Sequence, residues 1–317
     1  MDYLPIPDSA ARQAIDSATV FAEYSRVHAQ ARQYTGGMYW KRQGQYEYLV
    51  KTHLDNRQAR VGPRSPETEK IHAEFSARKK ELENRLTRIR GALKEAERLN
   101  KALKVGRVPA VVVAVLQALE AAGLGQHFTV VGTHALYAYE SAAGVRISQG
   151  ALATQDVDLL WDARRRVRFM ADMARLDTSL LEVLQRADPT FQRKEDQNET
   201  AISASGFEVD FLRRQPEGDD PHPFRFSQDE GDLWPVQAMR AATLTSAPRF
   251  EYLVFFSATG RMALMRTIAP ETFVAFKRWM AEEAPQRAEP KRRRDRRQAD
   301  IVQSMLDEGL LPVAARA

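Results

Sequence analysis

In the run Thr154-Gln-Asp-Val-Asp-Leu-Leu-Trp161, two carboxylates stand one residue apart inside an otherwise apolar stretch. Short apolar runs of this kind read as buried strands. Side chains alternate across a strand, so Asp156 and Asp158 project to one face while Val157 enters the core on the other. Two anions side by side repel each other and lose hydration together, so this face needs a compensating partner. A divalent cation with oxygen ligands supplies one, and Mg2+ (or Mn2+) is the expected ion. A solvated strand end is the other reading that an Asp-x-Asp by itself leaves open.

Two further segments bear on that choice. Phe128-Thr-Val-Val-Gly-Thr133 is a β-branched strand that breaks at Gly132-Thr133 and runs into a helix expected from His134 to Ala142. A glycine there lets phosphates approach the backbone, and a helix N-terminus offers unpaired N–H groups and the positive end of the dipole. The Thr133 hydroxyl adds a donor, and His134 lies beside the turn within reach of a phosphate. In Gly206-Phe-Glu-Val-Asp-Phe-Leu212, Phe207, Val209 and Phe211 face one side of a strand, Glu208 and Asp210 the other. Asp210 sits deeper in the apolar run and is expected as third metal ligand or general base. An outward charge that guards a sheet edge is its alternative.

Taken together, strand-Gly-Thr, then Asp-x-Asp, then a lone Asp on a later strand resembles the signature of the DNA polymerase β-like nucleotidyltransferase superfamily. The segments Val131-Gly-Thr-His-Ala-Leu-Tyr-Ala-Tyr-Glu-Ser-Ala-Ala-Gly144 and Ala153-Thr-Gln-Asp-Val-Asp-Leu-Leu-Trp-Asp162 are similar to a bacterial nucleotidyltransferase-fold family. So are Val61-Gly-Pro-Arg-Ser-Pro-Glu-Thr68 and Lys291-Arg-Arg-Arg-Asp-Arg-Arg-Gln-Ala299. That family is distantly similar to abortive-infection toxins. The resemblance spans most of the chain, but only the acidic triad is specific to the chemistry.

The resemblance implies an α+β (mixed α/β) fold, in which a nucleotidyltransferase core with a small mixed sheet is flanked by helices. It also implies transfer of a nucleoside monophosphate from an NTP substrate to an acceptor, RNA, protein or small molecule, with release of pyrophosphate. Asp156, Asp158 and Asp210 would be the catalytic and metal-holding residues, and Gly132 and Thr133 would bind nucleotide. A toxin or defence effector fits that kinship, and a catalytically idle nucleotide- or RNA-binding interaction protein is the alternative. Two departures stand out. Twenty-two residues, His134 to Gln155, separate Gly-Thr from Asp156, so an inserted loop is expected around Gly144 to Ala153. Thr133 also stands where Ser or Gly is commoner.

The remaining pattern divides the chain into an N-terminal helical region (1–107), the catalytic core (108–215) and a C-terminal hairpin with basic helices (216–317). In the first region, a helix over Ser9–Gln33 precedes a hairpin over Met38–Lys51 that turns at Gln43-Gly44. Its aromatics Tyr39, Trp40, Tyr46 and Tyr48 suit either base stacking beside Lys41 and Arg42 or packing on neighbouring helices. Ser65-Pro66 then starts one long amphipathic helix. Apolar residues recur through it from Ile71, Phe75, Leu82 and Leu86 to Leu99 and Leu103, as in a coiled-coil-like arm packed along one side.

Charge and composition narrow the chemistry. The 317-residue chain has net charge +5, and the segment Arg287–Arg297 alone holds seven basic against two acidic residues. That surplus equals the net charge of the whole chain, and it suits a polyanion or a solvated helix face. In the helix before it, Lys277 shares an inward face with Phe273 and Met280, so it either snorkels out or meets an anion. Extending the Val302, Met305 and Leu306 stripe backward reaches Ala299, Asp295 and Arg292. Lys277 and Arg292 are therefore the expected nucleotide-binding residues of the C-terminal helices, with Arg292 and Asp295 facing a cleft or each other and the other arginines facing solvent. Cysteine is absent, which excludes disulfides, thiolate zinc sites and cysteine nucleophiles. The six histidines show no metal-ligand spacing. No stretch approaches the roughly 18 apolar residues of a membrane span, so a cytoplasmic protein is expected, and the oligomeric state is left open.

Overall fold

A computed structural model describes residues 2–52 and 57–312, so His53 lies outside the described residues. The chain begins with β1 (Tyr3–Pro5) and α1 (Asp8–Arg32), continues through β2 (Gly37–Gln43), β3 (Tyr46–Thr52) and β4 (Gln58–Pro63), and enters the long helix α2 (Pro66–Ala102). Then follow α3 (Ala110–Ala121), β5 (Phe128–Val131), α4 (Leu136–Ala143), β6 (Val145–Ile147), α5 (Gln149–Leu152), β7 (Asp156–Trp161), α6 (Arg166–Leu176) and α7 (Leu180–Gln185). The remainder is β8 (Gln192–Lys194), β9 (Gln197–Ile202), β10 (Glu208–Arg213), β11 (Val236–Gln237), α8 (Ala241–Ser246), β12 (Arg249–Phe255), β13 (Met262–Ile268), α9 (Pro270–Glu282) and α10 (Glu289–Asp307). Two compact units result: Arg12–Leu103, and the residues up to Ala11 together with those from Lys104 onward. Among the described residues no helix is long and apolar enough to cross a membrane.

In the unit Arg12–Leu103, α2 starts where the Ser-Pro signal places it. Ser65 accepts from the Thr68 backbone N–H while the Thr68 hydroxyl accepts from the Ser65 N–H at 2.8 Å, a capping box built with Thr instead of Glu. The apolar stripe is only partly used. Phe75, Leu82, Leu86 and Ala96 are buried, and Val27 of α1 joins Leu82 and Leu86 in one cluster, whereas Ile71, Leu99 and Leu103 are exposed. Near the end of α2 the packing is polar: Asn100 accepts from Ser17 at 2.7 Å and from Gln13 at 3.0 Å, all three buried. Strands β2, β3 and β4 form an antiparallel sheet, its third strand unanticipated from the sequence.

The larger unit is organised by a mixed sheet of order β12-β13-β5-β7-β10-β9-β8, with β11 beside β10. Strands β7 and β10 are parallel neighbours, while β5 runs antiparallel to β7. The hairpin β12–β13 joins the same sheet through β13, which lies parallel to β5. One sheet face is sealed by aromatics: Phe128, Trp161 and Phe211 from three adjacent strands meet Phe169 of α6 and Phe224 and Phe226 of the loop between β10 and β11, all buried. Trp161 stacks on Phe224 with centroids 4.5 Å apart. Each such ring removed from water contributes about 1.5–3 kcal/mol, enough to hold β5, β7 and β10 as a rigid base and leave their other face free for polar groups.

The inserted segment 144–153 is more ordered than a loop. Its β6 pairs antiparallel with the N-terminal β1, Tyr3 opposite Ile147, and α5 follows at once. Glu140 of α4, itself buried, anchors this corner by accepting from the Ile147 N–H at 2.9 Å and pairing with Arg107 and Arg146.

Candidate active site

The in-register pairing of β7 with β10 places Asp156 opposite Glu208 and Asp158 opposite Asp210. Alternation then puts all four carboxylates on one sheet face. Val157, Leu159, Val209 and Phe211 are buried on the other. The oxygens of Asp156, Asp158 and Asp210 come within 4.8 Å of one another, a spacing that one ion can bridge. Hydrogen bonds aim two of them: the Thr154 hydroxyl donates to Asp156, and the Thr200 hydroxyl to Asp210 at 2.6 Å.

Crowding these anions has an electrostatic cost that the structure displays. Desolvation, then the Asp156 charge, then that of Asp210 push the Asp158 carboxyl up to about 7, against the pull of Lys277 and Arg287. Asp210 is raised as well, mainly by desolvation, although the Thr200 hydrogen bond works against this. Three carboxylates that cannot all ionise comfortably form an oxygen donor set suited to a divalent cation, so the residues present fit the metal that the acidic pattern implies.

Strand β5 delivers the glycine turn to the same place, since Val131 pairs with Asp158. Gly132 has φ +70°, and a Cβ built on it would lie 2.1 Å from Asp158 Oδ2. The turn is a 3₁₀ segment, Gly132–Ala135, and the α-helix begins only at Leu136. Thr133 is buried and its hydroxyl accepts from Gln298 Nε2 at 3.2 Å, which also donates to the Ala151 carbonyl at 2.6 Å. Gln298, on α10 beside Ala299, was not singled out by its sequence setting; its position on the inward stripe is the signal that could have found it. His134, the residue expected within reach of a phosphate, is only 1% exposed. It is buried beside Tyr137 and Phe207, bonds the Asp156 main chain, and burial pushes it down to about 4, so its ring is neutral.

The C-terminal helices use their charges internally to a degree that composition does not reveal. Lys277 is buried, donates to Asp295 Oδ1 at 2.8 Å and sits over the Phe273 ring; burial lowers its pKa, and Asp295 opposes that shift. Arg287 holds the other oxygen of the fully buried Asp295 at 2.7 Å. The Arg292 guanidinium donates to the carbonyls of Ala281, Ala284 and Arg287 at 2.8, 2.6 and 3.0 Å. These bonds brace the turn between α9 and α10. Arg294 and Arg297 are not simply solvent-facing: the first donates to the Ala153 carbonyl at 2.8 Å, the second pairs with Asp2 at 2.7 Å.

A cleft of about 520 Å³ opens beside the triad, lined by Asp156, Asp210, Glu199, Glu208, Lys194 and Lys291 among others. Lys194 donates to Glu208 at 2.6 Å, which partly balances the acidic wall. Neither lysine stood out in the sequence. Lys194 lies on the short strand β8, which has no apolar alternation, and Lys291 is hidden among the arginines of its own run.

The match to known families agrees with this geometry. No curated protein and no solved structure matches the chain. A family model described as nucleotidyltransferase matches residues 110–316, which contain the glycine turn, all three carboxylates and both C-terminal helices. That span is well over half of the chain, and the protein belongs to the nucleotidyltransferase family, enzymes whose substrate class is the nucleoside triphosphate.

Proposed function

We propose that the protein is a Mg2+- or Mn2+-dependent nucleotidyltransferase that moves a nucleoside monophosphate from NTP to an acceptor hydroxyl. The single observation that carries this reading is the convergence of the Asp156, Asp158 and Asp210 oxygens within 4.8 Å. Asp156, Asp158 and Asp210 would hold the divalent cation, which when bound would supply positive charge against the phosphoryl oxygens. Asp210, aimed by Thr200, accepts the proton of the acceptor hydroxyl as its oxygen bonds to the α-phosphorus and pyrophosphate leaves. Gly132 and Thr133 shape the turn over which the phosphates lie, and the Lys277 charge, although paired with Asp295, also favours the ionised form of Asp158. Arg292 has no direct part in this reading, because its donors hold the α9–α10 turn. An idle nucleotide-binding descendant would gain nothing from keeping three mutually repelling carboxylates together.

The test is incubation with each α-labelled NTP, Mg2+ or Mn2+, and bulk RNA or protein, beside the Asp156→Asn/Asp158→Asn variant. Label transfer by the wild type and none by the variant is expected. Equal labelling by both would defeat the role given to the pair.

A further inference from the structure

The three-stranded sheet of the unit Arg12–Leu103 turns one side to α2, and on its other side Val50 is buried at the centre while the side chains around it stay exposed. Trp40 approaches His72 of α2 at 5.8 Å and Lys51 lies 5.8 Å from the Phe75 ring, so the side carrying Trp40, Leu49 and Lys51 is packed on the helix. The register assigns the opposite side. Tyr39 pairs with Val50 and Val50 with Arg60; Lys41 pairs with Tyr48; Gln43 pairs with Tyr46. On this side Tyr46 is 57% and Tyr39 38% exposed, and Lys41 and Arg60 are exposed too.

Three tyrosines and two cations thus share one face, and no carboxylate from the paired positions of β2, β3 and β4 joins them. Among the described residues neither Lys41 nor Arg60 has an ion-pair partner. The Arg60 guanidinium lies 3.1 Å from the centroid of the Tyr48 ring, which turns its own outer surface into a flat cationic plate. Tyr46 stands next in line, 6.4 Å from Tyr48 between centroids. Aromatic rings and arginine planes spaced along a positively charged surface are what unstacked bases and their phosphates require. A helix-packing face would have hidden its rings and left its lysine outside.

We propose that this sheet face binds single-stranded nucleic acid, with bases stacked on Tyr39, Tyr46 and the Arg60–Tyr48 plate and phosphates held by Lys41 and Arg60. The inference goes beyond nucleotidyl transfer and does not depend on it, because it concerns binding by a different unit.

Fluorescence anisotropy of the full chain with a labelled single-stranded oligouridylate of about 12 nucleotides provides the test. Tyr39→Ala and Tyr46→Ala should each weaken binding by about five- to hundredfold, while Tyr46→Phe, which keeps the ring, leaves it unchanged. Lys41→Gln should reduce the slope of log affinity against log salt by about 0.7. Far-UV circular dichroism confirms that these exposed substitutions leave the fold intact. Duplex RNA, whose bases are already stacked, should compete poorly. Absence of binding, equal affinity of the alanine variants and the wild type, or equally effective displacement by polyglutamate, which would mark an acidic polypeptide as occupant, each overturns the proposal.

Discussion

Gly132 and Asp158 are in such close contact that the glycine has no room for a side chain: a Cβ would stand 2.1 Å from the carboxylate oxygen. The residue also has φ +70°, a conformation that costs an L-residue roughly 1–2 kcal/mol. Gly132→Ala therefore strains the turn and pushes Asp158 out of the triad. We expect a loss of about 1–3 kcal/mol in urea unfolding and at least a tenfold fall in nucleotidyl transfer. Wild-type activity in this variant would show that Asp158 need not sit where it does.

Metal and pH should act together. The Asp158 carboxyl titrates near 7 in the folded protein and near 3.8 when free. Because the folded value is the higher one, the stability that this group contributes is complete below about pH 4 and is lost as pH rises through about 7. Metal-free protein should accordingly lose thermal stability between pH 5 and 8. Added Mg2+ displaces that proton, so the rise in Tm on adding it should be larger at pH 8 than at pH 5.5. Asp158→Asn should abolish the difference. Differential scanning fluorimetry with EDTA or Mg2+ reads both effects, and an Mg2+ shift independent of pH would contradict them.

The buried pair Lys277–Asp295 should be costly to break from one side. Lys277→Met leaves Asp295, fully buried, with Arg287 as its remaining cation, and removing one partner of such a pair costs about 3–5 kcal/mol. Lys277→Met/Asp295→Leu should recover a large part of that loss in denaturant unfolding. The refolded double variant should still show a raised KM for NTP if the lysine charge serves the phosphates. An unchanged KM would assign Lys277 to the helix pair alone.

Arg292 should behave as a brace. Its planar fork reaches three carbonyls, and a lysine cannot reproduce that geometry. Arg292→Lys should cost about 1–3 kcal/mol of stability with KM for NTP close to the wild-type value. A large KM effect in a fully folded variant would return this residue to the nucleotide site.

Much of the candidate site was legible because its signals are local. Alternation within β7 and β10 decides which residues share a face, so Asp156, Asp158 and Asp210 could be grouped before their strands were known to be neighbours. The Ser65-Pro66 helix start and the hairpin turn, which falls at Gly44-Gln45, one residue beyond the expected Gln43-Gly44, are likewise set by capping and turn chemistry within a few residues. The partners that lie far along the chain were not legible. Nothing near Gln298 in the sequence points to Thr133, and a basic run looks the same whether its guanidinium groups meet solvent or, like those of Arg292, Arg294 and Arg297, reach carbonyls and carboxylates elsewhere.

The sequence by itself determined the chemistry of the face that holds the triad, since a one-residue spacing in a strand leaves two carboxylates no alternative to lying side by side. It also determined where the glycine turn falls and where α2 begins. Tertiary structure alone decided that β7 and β10 pair in parallel with Asp158 opposite Asp210, that β5 brings Gly132 against Asp158, and that Lys277 spends its charge on Asp295. Local propensity acts over a few residues, whereas strand register and buried ion pairing are settled by which distant surfaces exclude water together.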